Sequence, residues 1–182
     1  MKVLSTDIDG VLLIKPDVFK DSRGIFLETY SESKYRAEGI EEVFVQDNYS
    51  HSIKNTLRGL HYQLEHPQGK LVRVTKGAVL DYVLDIRKDS NTFGEHIMIE
   101  LDDKNFHQLY MPPGIAHGFF VKSQYADFEY KCTDYYFPED QCGIQFLDPE
   151  LNIEIPSKSF IMSSQDKSFL PLSRIAKNFL PV

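Results

Sequence analysis

The sequence predicts an all-β protein, a sandwich or barrel with a few short helices. Three observations predict it. Short apolar runs recur along the chain, separated by turn residues. There are 13 Phe and 10 Tyr but no Trp, an aromatic supply that suits strands and aromatic-lined pockets. Only one stretch carries clear helix signals at both ends.

In chain order, the predicted strands are Gly10–Ile14, Ile25–Thr29, Val43–Tyr49, Thr56–Gln63, Lys70–Thr75, Ala78–Ile86, His96–Leu101, Gln108–Met111, Gly118–Val121 and Phe128–Thr133. Each is a short β-branched or aromatic run bounded by turn formers. Lys76-Gly77 separates two of them as a tight hairpin would. Glu32–Glu38 reads as a helix, entered at Ser31 and stopped by Gly39. Ile161–Lys177 could hold a second short helix. The length of 182 residues fits one domain, residues 1–182, with a C-terminal segment from about 157 packing on the barrel.

A net charge of -7 argues against a nucleic-acid partner, which needs a basic face. A few cations in a cleft can still bind an anion locally. Cys132 and Cys142 form no disulfide framework and no metal-ligand spacing, so they read as free thiols in a reducing cytoplasm. No apolar run is long enough to span a bilayer, and the start lacks a signal-peptide core.

The segment Arg58-Gly59-Leu60-His61-Tyr62-Gln63, followed by Gln68-Gly69-Lys70-Leu71-Val72-Arg73-Val74, carries the most chemistry. It sets an imidazole that titrates near neutrality between cations, on strands that hold geometry well. Arg and Lys there suit phosphate oxygens or a developing oxyanion. A pair of amphipathic strands with solvated charges fits the same residues. Arg58 and His61 are three apart, so a regular strand aims them at opposite faces. They share a pocket only if Gly59 marks a bulge or bend.

Met111-Pro112-Pro113-Gly114-Ile115-Ala116-His117 is a turn that brings His117 to a strand entrance, where it is structural or functional. In Phe128–Tyr136 the alternation places Tyr130, Cys132, Asp134 and Tyr136 on one face if the strand continues. Those tyrosines could close a sugar pocket, donate a proton, or simply pack. Asp7-Ile8-Asp9-Gly10 has the spacing of a phosphatase nucleophile motif, but β-like sequence follows it instead of an α/β unit. Six histidines invite a metal, yet no His-x-His with a following carboxylate occurs.

Taken in order, these segments resemble the dTDP-4-dehydrorhamnose 3,5-epimerase family. The resemblance runs from about residue 10 to 170. It includes Phe19–Glu28, Gln46–Ser50, Arg58–Gln63, Gln68–Val74, Asp85–Ser90, Phe93-Gly94, Pro112–Phe119, Tyr130–Pro138, Asp148-Pro149 and Ser164–Asp166. It implies a cupin-like jelly-roll β-sandwich or barrel in which Asp9-Gly10-Val11 begins the first strand. It also implies a homodimer with N-terminal strands exchanged between subunits. The implied reaction inverts C3 and C5 of a nucleotide-diphosphate-linked 4-keto-6-deoxy sugar, with no cofactor and no metal.

The implied catalytic residues are His61 as base, Asp166 as its partner, Tyr130 as acid and Lys70 at the enolate oxygen. Arg23 and Arg58 are implied to hold the diphosphate, and His117 to contact substrate. Glu28, Gln46 and Asn48 are implied nucleotide or sugar contacts, and Tyr136 flanks the nucleotide. The chain departs from the family with Gln165 where Lys is common and Gln141 where Glu is common. Both are carried as substrate-binding candidates that put the exact sugar or nucleotide in question. Phe146 and Ile155 stand where Trp is often found and read as core substitutions. A single-carbon epimerase and a 3,4-ketoisomerase are the neighbouring readings.

Overall fold

A computed structural model describes residues Met1–Val182. The strands are β1 (Lys2–Ser5), β2 (Leu12–Lys15), β3 (Val18–Asp21), β4 (Gly24–Leu27), β5 (Gln46–Ile53), β6 (Leu57–Gln63) and β7 (Lys70–Lys76). They continue with β8 (Ala78–Asp85), β9 (His96–Asp102), β10 (Gln108–Met111), β11 (Ile115–Val121), β12 (Tyr125–Cys132) and β13 (Gln141–Gly143). One helix, α1 (Glu32–Ala37), interrupts them. A six-stranded sheet ordered β1-β2-β10-β7-β12-β5 faces a five-stranded sheet ordered β13-β6-β11-β8-β9. The strands β3 and β4 form a separate two-stranded hairpin. This is the all-β sandwich that the apolar runs predict, with the cupin-like form that the resemblance implies.

Inward side chains of the two sheets interdigitate. Val72, Val74, Leu109 and Phe128 meet Val79, Val83, Leu101, Phe119 and Val121, all buried. A second cluster covers the outer face of the five-stranded sheet, where Leu57, Leu60, Tyr82 and Phe120 pack with Phe146, Leu151 and Leu180. Strand β11 is therefore buried on both faces and along its whole length, and its sequence is apolar apart from His117. Phe146 is fully buried and Ile155 packs against the same cluster. A third cluster seats Tyr35 of α1 with Ile14, Leu71 and Tyr110.

Strands β3 and β13 are additions to the predicted set, and four further features differ from the sequence reading. The chain begins a strand earlier, and residues 6–11 form the turn between antiparallel β1 and β2. Asp9-Gly10-Val11 thus ends that turn and does not begin the first strand. Lys76-Gly77 is not a hairpin, because β7 and β8 lie in different sheets. Gly77, at φ +81, turns the chain from one sheet to the other, and a Cβ there would sit 2.1 Å from the Tyr125 carbonyl. Ile161–Lys177 is not a helix but three short 3-10 turns, at Asp166–Ser168, Leu172–Arg174 and Lys177–Phe179. Pro171 has no N–H to donate, and bridges from Ile161 to Thr56 and from Leu170 to Ile144 hold the segment extended. Finally, β12 ends at Cys132, so Asp134 and Tyr136 leave in a loop and do not continue the strand.

Gly77→Ala is expected to destabilise the fold by roughly 1–3 kcal/mol, since the left-handed backbone and the Tyr125 contact both oppose a methyl group. Urea denaturation checks this, and an unchanged midpoint contradicts it.

Candidate active site

One cleft of about 730 Å³ opens between the two sheets, under the C-terminal segment. Its lining includes Arg58, His61, Lys70, His117, Tyr130 and Asp166. Gln46, Asn48, Tyr136, Gln141 and Gln165 line it as well.

Arg58 and His61 reach this cleft together because β6 is bulged. Residues His117 and Phe119 of β11, two apart, pair with His61 and Arg58 of β6, three apart. The extra residue sits at Gly59, at φ +114, where a Cβ would lie 2.5 Å from the Gly118 Cα. Arg58 Nε donates to Ser52 Oγ at 3.1 Å, which fixes the guanidinium stem.

His61 and Asp166 are joined at 2.8 Å, ring Nε2 to carboxylate Oδ1. Asp166 is 4% exposed. Burial pushes its carboxyl up, but hydrogen bonds from His61, Ser163 and the Gly59 N–H outweigh this and leave it below the usual range. An ionised Asp166 only accepts, so His61 Nε2 carries the proton it shares. In the neutral ring Nδ1 is then the lone pair of a cleft residue, as a base requires. Phe169 packs its edge against the imidazole, with centroids 5.7 Å apart.

Tyr130 comes from the opposite sheet. Burial, with the nearby Cys132 and Tyr136, raises its phenol to about 12 despite the Arg58 charge. It therefore stays protonated at neutral pH and can act as a donor. Lys70 is paired across the ladder with Cys132. Burial lowers its ammonium below the ordinary lysine range, against the pull of Cys132 and Asp81. Cys132 is a buried free thiol and Cys142 a partly buried one. At the mouth, Tyr136 Oη donates to Gln141 Oε1 at 2.6 Å, and the Tyr136 N–H donates to Gln46 Oε1 at 3.0 Å. Gln46 Nε2 in turn reaches Asn48 at 3.0 Å. No group of three or more His, Cys, Asp or Glu side chains is placed to hold a metal ion.

Two candidates lie elsewhere in the single chain. Arg23 sits at the tip of the β3–β4 hairpin, bonded to Asp21, and Glu28 pairs with Lys34 on the surface. Three cleft-associated residues escaped the sequence reading: Phe169 against His61, Ser52 under Arg58, and Asp81 behind His117. Ser52 lies on the same face of β5 as Gln46 and Asn48, but the predicted strand ends at Tyr49, short of it.

A family model described as dTDP-4-dehydrorhamnose 3,5-epimerase matches residues 5–174. The chain belongs to this family. The dTDP-4-dehydrorhamnose 3,5-epimerase of Escherichia coli is 44% identical over 180 residues, covering 97% of both chains. That of Methanothermobacter thermautotrophicus is 42% identical, covering 94% of each. Among solved structures, dTDP-6-deoxy-D-glucose-3,5-epimerase from Legionella pneumophila, in complex with dTDP-4-keto-L-rhamnose, superposes with a TM-score of 0.96 at 44% identity. That match covers 99% of this chain and 97% of the other. The fold and the isomerase class of this epimerase family thus agree with the resemblance read from the motifs. No helix is long and apolar enough to cross a membrane.

The Asp166 carboxyl lies below its unfolded value, so it contributes stability above about pH 4 that is lost as pH falls through the lower folded value. Wild type is expected to lose urea resistance more steeply than Asp166→Asn between about pH 5 and pH 2. Parallel slopes in urea titrations across that range contradict it.

Proposed function

We propose that this chain epimerises both C3 and C5 of a thymidine-diphosphate-linked 4-keto-6-deoxy sugar, by proton transfer through an enolate. The observation that carries the reading is a His–carboxylate pair and a protonated phenol from opposite sheets opening on one cleft that also holds an ammonium. The C4 ketone acidifies the hydrogens on both neighbouring carbons. His61 Nδ1 takes one of them, and the C–H electrons move onto the C4 oxygen. Asp166 stabilises the imidazolium so formed. Lys70 faces the enolate oxygen, a contact that supplies several kcal/mol of transition-state stabilisation. Tyr130 delivers its hydroxyl proton to the opposite face of the carbon, which inverts it. Exchange with solvent then takes the proton from His61 and returns one to Tyr130, and the same transfer at the second carbon completes the reaction without a cofactor.

Arg58 holds the diphosphate, Tyr136 flanks the base, and Gln46, Asn48, His117, Gln141 and Gln165 contact nucleotide or sugar. Arg23 and Glu28 act in the cleft of a second copy. Support for this comes from the β3–β4 hairpin, which leaves Phe26 70% and Phe19 61% exposed beside Ile25. Such a patch on an unsupported hairpin favours burial against another chain. The homodimer then exchanges this hairpin between subunits. A single-carbon reading is also favoured by one observation: a relative named dTDP-4-dehydrorhamnose 3-epimerase, from Streptomyces niveus, is 35% identical over 175 residues. Product stereochemistry separates the two.

In heavy water the protein is expected to place deuterium at both C3 and C5 of the keto sugar. Uptake at C3 alone favours the single-carbon reading, and uptake at neither carbon overturns both. His61→Asn is expected to lower kcat by about 10²–10⁴-fold, measured by product formation. In analytical ultracentrifugation the wild type is expected to sediment as a dimer and Phe26→Asp as a monomer with little turnover. A fully active wild-type monomer contradicts the exchanged hairpin.

A further inference from the structure

A second histidine–carboxylate pair borders the cleft, and the proposed chemistry gives its carboxylate no role. Asp81 of β8 is completely buried. Its two oxygens stand 3.0 and 2.8 Å from His117 Nε2, the one hydrogen-bond donor that reaches them. His117 is the register partner of His61, so both imidazoles enter the cleft side by side. The ring stacks on Phe128 at 6.0 Å, which fixes its plane. Nε2 is committed to Asp81. His117 Nδ1 has no partner in the chain, yet Ser50 Oγ is the one buried side-chain polar atom left unsatisfied. Nδ1 is therefore open to the cleft.

The proton count of this pair decides what Nδ1 can do. With one proton the pair is an ionised carboxylate accepting Nε2–H, and Nδ1 is a bare acceptor. With two protons the pair is neutral overall, and Nδ1 carries hydrogen in either arrangement. Either the ring is imidazolium against carboxylate, or the acid donates to Nε2 and the ring's own proton moves to Nδ1. An unmatched negative charge on a completely buried carboxylate with one donor is costly. Burial raises the Asp81 carboxyl, against the His117 and Lys70 contributions, in keeping with the two-proton state.

We propose that Asp81 is a positioning residue that holds the pair in its two-proton state, so that His117 presents Nδ1–H to the cleft as a second donor beside Lys70. The donor's role at the C4 oxygen rests on the epimerase reading. Its protonation does not. The charged and titratable groups around the pair are Arg58 and His61 on β6, Lys70 on β7, Tyr130 and Cys132 on β12, and Asp166 beyond His61.

Nitrogen NMR of the ligand-free wild type at neutral pH is expected to show a protonated His117 Nδ1, assigned by its loss in His117→Gln. An unprotonated Nδ1 overturns the proposal, whatever the Asp81 variant does. Asp81→Leu frees the ring, and replacing a buried charge with a residue of similar volume is often tolerated. This variant is expected to lose about 10²-fold in kcat, the scale of one oxyanion donor, with KM changed by less than about threefold. Its kcat should also fall as pH rises past about 6.5, the ordinary imidazole range, where wild type shows no such step. A variant with wild-type kcat and pH profile overturns the proposal. Deuterium uptake by wild type tests the epimerase reading separately.

Discussion

The close approach of β6 and β11 at Gly59 and Gly118 is the constraint on which the site depends. A Cβ on Gly118 would stand 2.4 Å from the Arg58 carbonyl, and one on Gly59 would meet the Gly118 backbone. With both side chains absent, the strands can cross a bulge without separating. The bulge turns Arg58 and His61 to the same side, although their spacing sets them on opposite faces of a regular strand. It also aligns His61 with His117 across the ladder. A guanidinium and two imidazoles thus share one opening because two glycines let two backbones touch.

The rest of the molecule supports that opening from three sides. The core between the sheets fixes their separation, so Tyr130 on one sheet faces His61 on the other across the cleft. The C-terminal segment then closes it. Asp148 anchors that segment by accepting the Leu172 N–H at 2.8 Å, and Leu180 inserts into the outer core. Asp166 is carried to His61 on this anchored stretch, and Ser163 Oγ accepts the Asp166 N–H at 3.0 Å. A carboxylate supplied by a distant segment is held firmly only when the segment itself is packed. That is the function of the apolar residues between 151 and 180.

Much of this was legible in the sequence, and the misses have physical causes. Short apolar runs between turn formers identified most strands, since each strand buries at least one face against a core. Strand β1 was missed because it is short and on an edge. Lys76-Gly77 carries the same local signal whether its strands pair or part, and only the packing of Gly77 against Tyr125 separates the cases. Ile161–Lys177 is open to a helical reading from its sequence, yet its bridges to Thr56 and Ile144 lie more than a hundred and about twenty-five residues away, beyond any local pattern. The bulge at Gly59 was foreseen from a conflict, because Arg58 and His61 could not otherwise serve one pocket. The His61–Asp166 pair came from the family resemblance, as no spacing rule joins residues 105 apart. Asp81 was invisible inside an apolar run, where a lone carboxylate gives no hint of its partner.

The central claim is that His61 and Tyr130 act on opposite faces of one bound sugar. The most direct test is Tyr130→Phe in heavy water, following deuterium incorporation and configuration at C3 and C5 together. The account predicts that His61 still removes a proton and returns deuterium to the same face, so label enters with little inversion. Inversion at the wild-type rate, or complete loss of exchange in this folded variant, would contradict it.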